Sequence, residues 1–120
     1  MILIVEDEAI TRSDFAKLLA LRGHEVMEAA DGQQALNLLE QHQFKVVITD
    51  LALPKVTGFG LIGEIRRKWP NIPIILVTAY LSPEVAEELL TEKTKFISKP
   101  VDSNELLATI EHFTSLGTLS

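Results

Sequence analysis

Carboxylates, a hydroxyl and an ammonium recur at the ends of the apolar runs of this sequence. Ile2–Val5 ends in Glu6-Asp7, residues 44–49 end in Asp50, residues 74–77 are followed by Thr78, and residues 95–98 are followed by Lys99-Pro100. A weaker run at residues 24–28 offers only Glu28. Singly, these residues have plain uses: an Asp after a strand caps a helix or closes an Asx-turn, and a lone Lys is a solvated charge. Brought to one rim they have a different chemistry. Three crowded carboxylates repel and raise one another's pKa unless a cation intervenes. A hard divalent cation takes oxygen ligands, and magnesium is held by one or two carboxylates plus water and phosphate. Lys99 then supplies a further positive charge, for Asp50 or for a phosphate oxygen.

The elements between these residues determine whether they meet. Ile2–Val5, residues 44–49 and residues 74–77 are continuous apolar runs rich in β-branched residues, the pattern of strands buried on both faces. Between them lie helical patterns. The first has Ile10, Leu18, Leu19 and Leu21 as its apolar positions and stops at Arg22-Gly23. The second is capped by Asp31 and has Ala35, Leu36, Leu38 and Leu39. The third turns Leu61, Ile62 and Ile65 inward and ends in Arg66-Arg67-Lys68, where cations suit the helix dipole. Ser82-Pro83-Glu84 starts a fourth, and Asp102 or Ser103 opens a fifth with Leu106, Leu107, Ile110 and Phe113. A strand–helix unit repeated five times with buried strands predicts an α/β fold, a doubly wound five-stranded parallel sheet covered on both faces. Ligands of such sheets bind outside the carboxyl ends of the strands, where the residues above stand.

In order and at strand ends, Ile2-Leu3-Ile4-Val5-Glu6-Asp7-Glu8, Thr49-Asp50-Leu51-Ala52-Leu53-Pro54 with Gly58, Val77-Thr78-Ala79 and Ser98-Lys99-Pro100 resemble the receiver domain of two-component response regulators. The resemblance runs over essentially the whole chain. It implies a (βα)5 flavodoxin-like receiver fold of strand order 2-1-3-4-5, with residues 1–116 as the receiver domain and 117–120 as a C-terminal tail, the last helix fraying beyond about Ser115. It implies Asp50 as phosphoacceptor, and Asp7, Asp50 and the backbone carbonyl of Ala52 as ligands of Mg2+, with Glu6 acting on the metal chiefly through water. Thr78 would hydrogen-bond the phosphoryl group and Lys99 would pair with it. Phe96 matches the family's switch aromatic, Thr78 and Phe96 together forming the switch, and the Lys99–Pro100 bond would be cis. The implied partners are a sensor histidine kinase or a histidine phosphotransfer protein, with the downstream effector unnamed. The chain then works as a signalling domain that catalyses its own phosphorylation and dephosphorylation, not as a turnover enzyme. Its state is a monomer or a phosphorylation-dependent dimer.

Composition narrows the alternatives. With 11 basic and 17 acidic residues the formal net charge is −6, which argues against nucleic-acid or anionic-membrane surfaces. The absence of cysteine removes disulfides and thiol chemistry and suits a cytoplasmic setting. The start lacks the basic segment of a signal peptide, and no apolar run is long enough to span a bilayer. Gly58-Phe59-Gly60-Leu61-Ile62-Gly63 spells a dinucleotide fingerprint, but no strand immediately precedes it. Two departures from the receiver pattern stand out. Thr91-Glu92-Lys93-Thr94-Lys95 replaces the Gly-Ala turn before the fifth strand, which leaves the end of the fourth helix open. Ala52 and Tyr80 flank the phosphoryl position, and a shielding Tyr80 predicts slow self-hydrolysis.

Overall fold

The computed structural model of the chain describes residues 1–51, 53 and 58–119, with side chains at all of these except 58, 59 and 115–119. Strands β1 (Ile2–Val5), β2 (Val26–Ala29), β3 (Val46–Thr49), β4 (Ile74–Thr78) and β5 (Thr94–Ser98) alternate with helices α1 (Ala9–Leu21), α2 (Gly32–Gln41), α3 (Gly58–Lys68), α4 (Pro83–Leu89) and α5 (Ser103–Leu119). All pairings are parallel and the order is β2-β1-β3-β4-β5, as the resemblance implies.

Side chains alternate across a strand, so each strand feeds two cores. Leu3, Val5, Val47, Ile74 and Leu76 pack with Ala35 and Leu39 of α2, Leu61, Ile62 and Ile65 of α3, and Leu89 of α4. Ile2, Ile4, Val46, Ile48, Ile75, Val77 and Ile97 pack with Leu19 of α1 and with Leu106, Ile110 and Phe113 of α5. Burial of the three central strands on both faces is the reason their sequences read as unbroken apolar runs. Parallel register brings all the carboxyl ends to one edge: Val5 pairs with Thr49, and Thr78 with Ser98.

The helix starts follow their caps. Asp31 accepts from the Gln34 N–H at 2.8 Å, while the Gln34 amide oxygen reaches back to the Ala30 N–H at 2.8 Å. Ser82 accepts from the Val85 N–H at 3.2 Å with Pro83 behind it, and Asp102 accepts from the Asn104 and Glu105 N–H groups at 2.8 and 3.2 Å. Gly23, at φ 86°, turns the chain from α1 to β2.

Several expectations shift. On α1 only Leu19 is fully buried, with Phe15, Ala16 and Leu18 packed beside it, whereas Ile10 and Leu21 face solvent, 75% and 84% exposed. Leu21 lies two residues, about 200°, from Leu19 and so falls on the opposite side of the helix. The backbone of α5 continues to Leu119, past the point near Ser115 where fraying was expected, because Gly117 weakens a helix without forbidding it. The glycine run at 58–63 lies in α3, and the last described strand before it, β3, ends at Thr49. No helix among the described residues is long and apolar enough to cross a membrane.

Candidate functional site

The predicted carboxylates, hydroxyl and ammonium within the described set stand where their strands end, and Phe96 lies inside β5. Glu6 follows β1, and its N–H donates to the Ala29 carbonyl of β2 at 3.0 Å, so the pairing runs on one residue past the strand. Asp50 follows β3 and is 7% exposed; Glu6 is 4% exposed. Lys99 follows β5, and its N–H donates to the Thr78 carbonyl at 2.9 Å, which ties the ends of β4 and β5 together. The Lys99–Pro100 peptide is cis, as the resemblance implies.

Lys99 carries the centre of the site. Its Nζ donates to Asp50 Oδ2 at 2.5 Å and to Glu6 Oε1 at 3.1 Å. Glu6 Oε2 accepts from the Glu8 N–H at 3.3 Å. The Asp7 carboxyl, next along the chain, is exposed to solvent and acts on the Glu6 carboxyl. Burial pushes the Glu6 carboxyl above the ordinary range, and the Asp7 contact adds to this against the opposing pull of Lys99. Burial alone would lower the Lys99 ammonium, but its bonds to Asp50 and Glu6 and their charges outweigh it, so its pKa is raised. Lys99 thus serves two buried carboxylates at this rim, with the Asp7 carboxylate beside them.

A donor set of this kind fits a hard cation such as Mg2+. No group of three His, Cys, Asp or Glu side chains is closed into a metal-holding cluster among the described residues. Magnesium does not require one, since one or two carboxylates with water suffice. The Ala52 carbonyl, the backbone ligand implied by the resemblance, lies outside the described residues.

Thr78 is buried at the end of β4, 7% exposed. Phe96 pairs with Leu76 on β4 and is half-buried. Residues 76 and 78 share a face of their strand, so Thr78 and Phe96 belong to the same side of the sheet. Phe96 also lines a shallow groove with Ala108, Thr109 and His112 of α5. Tyr80, expected to shield the phosphoryl position, leaves 72% of its surface to water.

A profile described as the response regulator receiver domain matches residues 2–111. The chain belongs to the response regulator receiver domain family. Accepting a phosphoryl group in two-component signalling is the general function of these domains. Among curated relatives, the response regulator protein FleR of Pseudomonas aeruginosa is 33% identical over 88% of this chain, which spans 23% of FleR's own length. Among solved structures, the chemotaxis protein CheY4 of Vibrio cholerae superposes with a TM-score of 0.84 at 30% identity, covering 93% of this chain and 96% of that one. The receiver domain of the sensor histidine kinase PA1611 from Pseudomonas aeruginosa superposes with a TM-score of 0.83 at 27% identity, over 93% and 94% of the two chains; a magnesium ion is coordinated in its active-site cleft.

Two residues of this receiver domain escaped the sequence reading. Arg12 on α1 donates to the Glu6 carbonyl at 2.8 Å and pairs with Glu28 at 3.3 Å. Arg66, read as a helix-end cation, donates instead to the carbonyls of Ile72 (2.6 Å) and Lys93 (2.9 Å) and to Thr94 Oγ1 (2.5 Å). It thereby fixes the segment that replaces the Gly-Ala turn. That segment closes through Thr91 and Thr94, whose backbones exchange hydrogen bonds at 3.2 and 3.4 Å, and it limits α4 to Pro83–Leu89. Arginine spacing in a sequence carries no sign of where a long side chain will fold back.

Proposed function

We propose that Asp50 is the phosphoacceptor of this receiver domain, taking a phosphoryl group from a phosphohistidine on a sensor histidine kinase or a histidine phosphotransfer protein. The observation that carries the proposal is Lys99 Nζ placed between Asp50 Oδ2 and Glu6 Oε1 at the carboxyl edge of the sheet. In the transfer, an Asp50 carboxylate oxygen attacks phosphorus in line. The phosphorus–nitrogen bond of the donor breaks, and the imidazole nitrogen leaves with the electron pair. Negative charge spreads over the three equatorial oxygens, and the work of the protein is positioning and neutralisation. Lys99 pairs with one of these oxygens, exchanging its bond to Asp50 for one to the phosphoryl group, and the Thr78 hydroxyl donates to another. Glu6, Asp7, Asp50 and the Ala52 carbonyl would hold Mg2+, which supplies charge neutralisation when bound. The domain catalyses its own phosphorylation and also its dephosphorylation, in which water attacks phosphorus, the bond to Asp50 breaks and inorganic phosphate leaves, and it does so in the cytoplasm, where its kinases present their phosphohistidine.

Output follows from a bias between two states. Thr78, drawn toward the phosphoryl oxygens, opens space on its side of the sheet, and Phe96 turns into it. The surface of α4, β5 and α5 changes with Phe96 and is offered to an effector, or to a second copy in a phosphorylation-dependent dimer. The test is intact mass after treatment with acetyl phosphate and Mg2+. Wild type gains one phosphoryl group and Asp50→Asn gains none; equal labelling of the two would place the acceptor elsewhere.

A further inference from the structure

The carboxylate of β2, Glu28, stands at the same edge of the sheet as the phosphoryl site but outside its cluster of charges. Its partner is Arg12, at 3.3 Å between Nε and Oε1. Arg12 is the better covered of the two, its side chain 20% exposed against 44% for Glu28. From the same guanidinium, Nη1 donates to the backbone carbonyl of Glu6 at 2.8 Å. That carbonyl belongs to the peptide joining Glu6 to Asp7. The N–H of Glu6 is already held by Ala29 of β2 at 3.0 Å. Both backbone polar groups of Glu6 are therefore committed, one to the edge strand and one to a side chain that the same strand orients.

We infer that Arg12, held by Glu28, is a positioning residue for the Mg2+ site: it fixes the Glu6–Asp7 peptide plane and with it the origin of the Asp7 carboxylate. The inference rests on the reading of Glu6 and Asp7 as the acidic part of that site. Glu28 orients a planar fork, the fork holds a carbonyl, and the carbonyl's peptide carries the ligand. Outer partners of this kind restrict a ligand before the ion arrives, and their loss typically costs about 10–100-fold in metal affinity. A lysine cannot replace the fork, because a point charge has no rigid plane to hold the Glu6 carbonyl at one edge while another edge faces Glu28.

Charge alone makes the opposite prediction, which is what makes the inference testable. Arg12 is a cation near a cation site, so as a mere charge it repels Mg2+ and its removal tightens binding. As a positioning residue its removal weakens binding. The experiment measures the Mg2+ concentration giving half-maximal phosphorylation of the whole chain by acetyl phosphate, together with the rate at saturating Mg2+, for wild type, Arg12→Ala, Arg12→Lys and Glu28→Gln. The expected result is a rise of about fivefold or more in half-saturating Mg2+ for both Arg12 variants, exceeding any fall in the saturated rate, and a smaller rise for Glu28→Gln. A second readout needs no phosphoryl chemistry: hydrogen exchange of the peptide covering residues 6–8 in metal-free protein, expected to be faster in Arg12→Lys. Half-saturating Mg2+ unchanged or lowered in the Arg12 variants, or exchange at 6–8 unchanged, overturns the inference. Wild type that takes up neither Mg2+ nor a phosphoryl group overturns the underlying reading instead, and does so before any variant is compared.

Discussion

Lys99 Nζ lies 2.5 Å from Asp50 Oδ2, joining the ends of β5 and β3 across 49 residues of sequence. The same ammonium reaches Glu6, so removing it takes a cation away from two buried carboxylates at once. Truncating one partner of such a group costs more than the net worth of the pair, because the remaining charge stays desolvated. Lys99 is 31% exposed, and solvent screening reduces the cost. Lys99→Ala is expected to lose about 1–2 kcal/mol of unfolding free energy at pH 7 in urea. Millimolar Mg2+ is expected to raise the melting temperature of Lys99→Ala more than that of wild type, since the ion supplies the missing charge. Equal shifts in the two proteins would separate Lys99 from the cation site.

Glu6 sets a pH dependence of opposite sign to the usual carboxylate. Burial is the leading cause that lifts its folded pKa above the 4.5 of a free glutamate. The folded state therefore binds more protons than the unfolded state between 4.5 and the raised value. Its contribution to stability is fully present below 4.5 and is lost as pH rises through the folded pKa. In metal-free protein, Glu6→Gln should remove this decline: the difference in unfolding free energy, variant minus wild type, grows more positive as pH rises from about 4 toward neutrality. Urea titrations in chelator across that range check it, and a flat difference would contradict the assignment.

Arg66 joins three separate stretches of chain through acceptors that are all neutral. Burial lowers the guanidinium's pKa, and among the described residues its bonds go to the carbonyls of Pro70, Ile72 and Lys93 and to the Thr94 hydroxyl. Arg66→Ala is expected to cost about 2–4 kcal/mol by leaving these groups unsatisfied around a fully buried Thr94. Hydrogen exchange should accelerate first at residues 91–95. Exchange that accelerates instead at β1 and β3, with 91–95 unchanged, would mean that the turn holds itself.

The frame of the fold was legible because its signals are local. The central strands are buried on both faces, so their apolar runs need no partner to be read. Asp31, Ser82-Pro83 and Asp102 mark helix starts by capping chemistry that acts within three residues. The site was legible for a related reason: parallel strands deliver their last residues to one edge, so Glu6, Asp50, Thr78 and Lys99 could be placed together before any distance was known. The misreadings concern side chains whose surroundings are set by distant segments. Ile10 and Leu21 are apolar residues that none of the described elements covers. Arg12 and Arg66 act through atoms four or more bonds from their own backbone, on acceptors that the sequence does not mark. The short α4 has the same origin, because the turn that ends it is held by a residue 27 positions earlier.

Thr78 and Phe96 lie on one side of the sheet, the first buried and the second half-buried, the arrangement on which the proposed switch relies. The proposed switch then makes a prediction about coupling that can be separated from binding. Beryllofluoride with Mg2+, a mimic of the phosphoryl group, is expected to shift the aromatic resonances of Phe96 in wild type. In Thr78→Ala the hydroxyl proposed to bond the phosphoryl oxygens is gone, and the mimic should still bind at Asp50 while the Phe96 shift falls to less than half. Resonances of residues 6–8 report binding independently of the switch. A full Phe96 shift in Thr78→Ala, with those resonances also moving, would show that the aromatic responds to the site by a route that does not pass through Thr78.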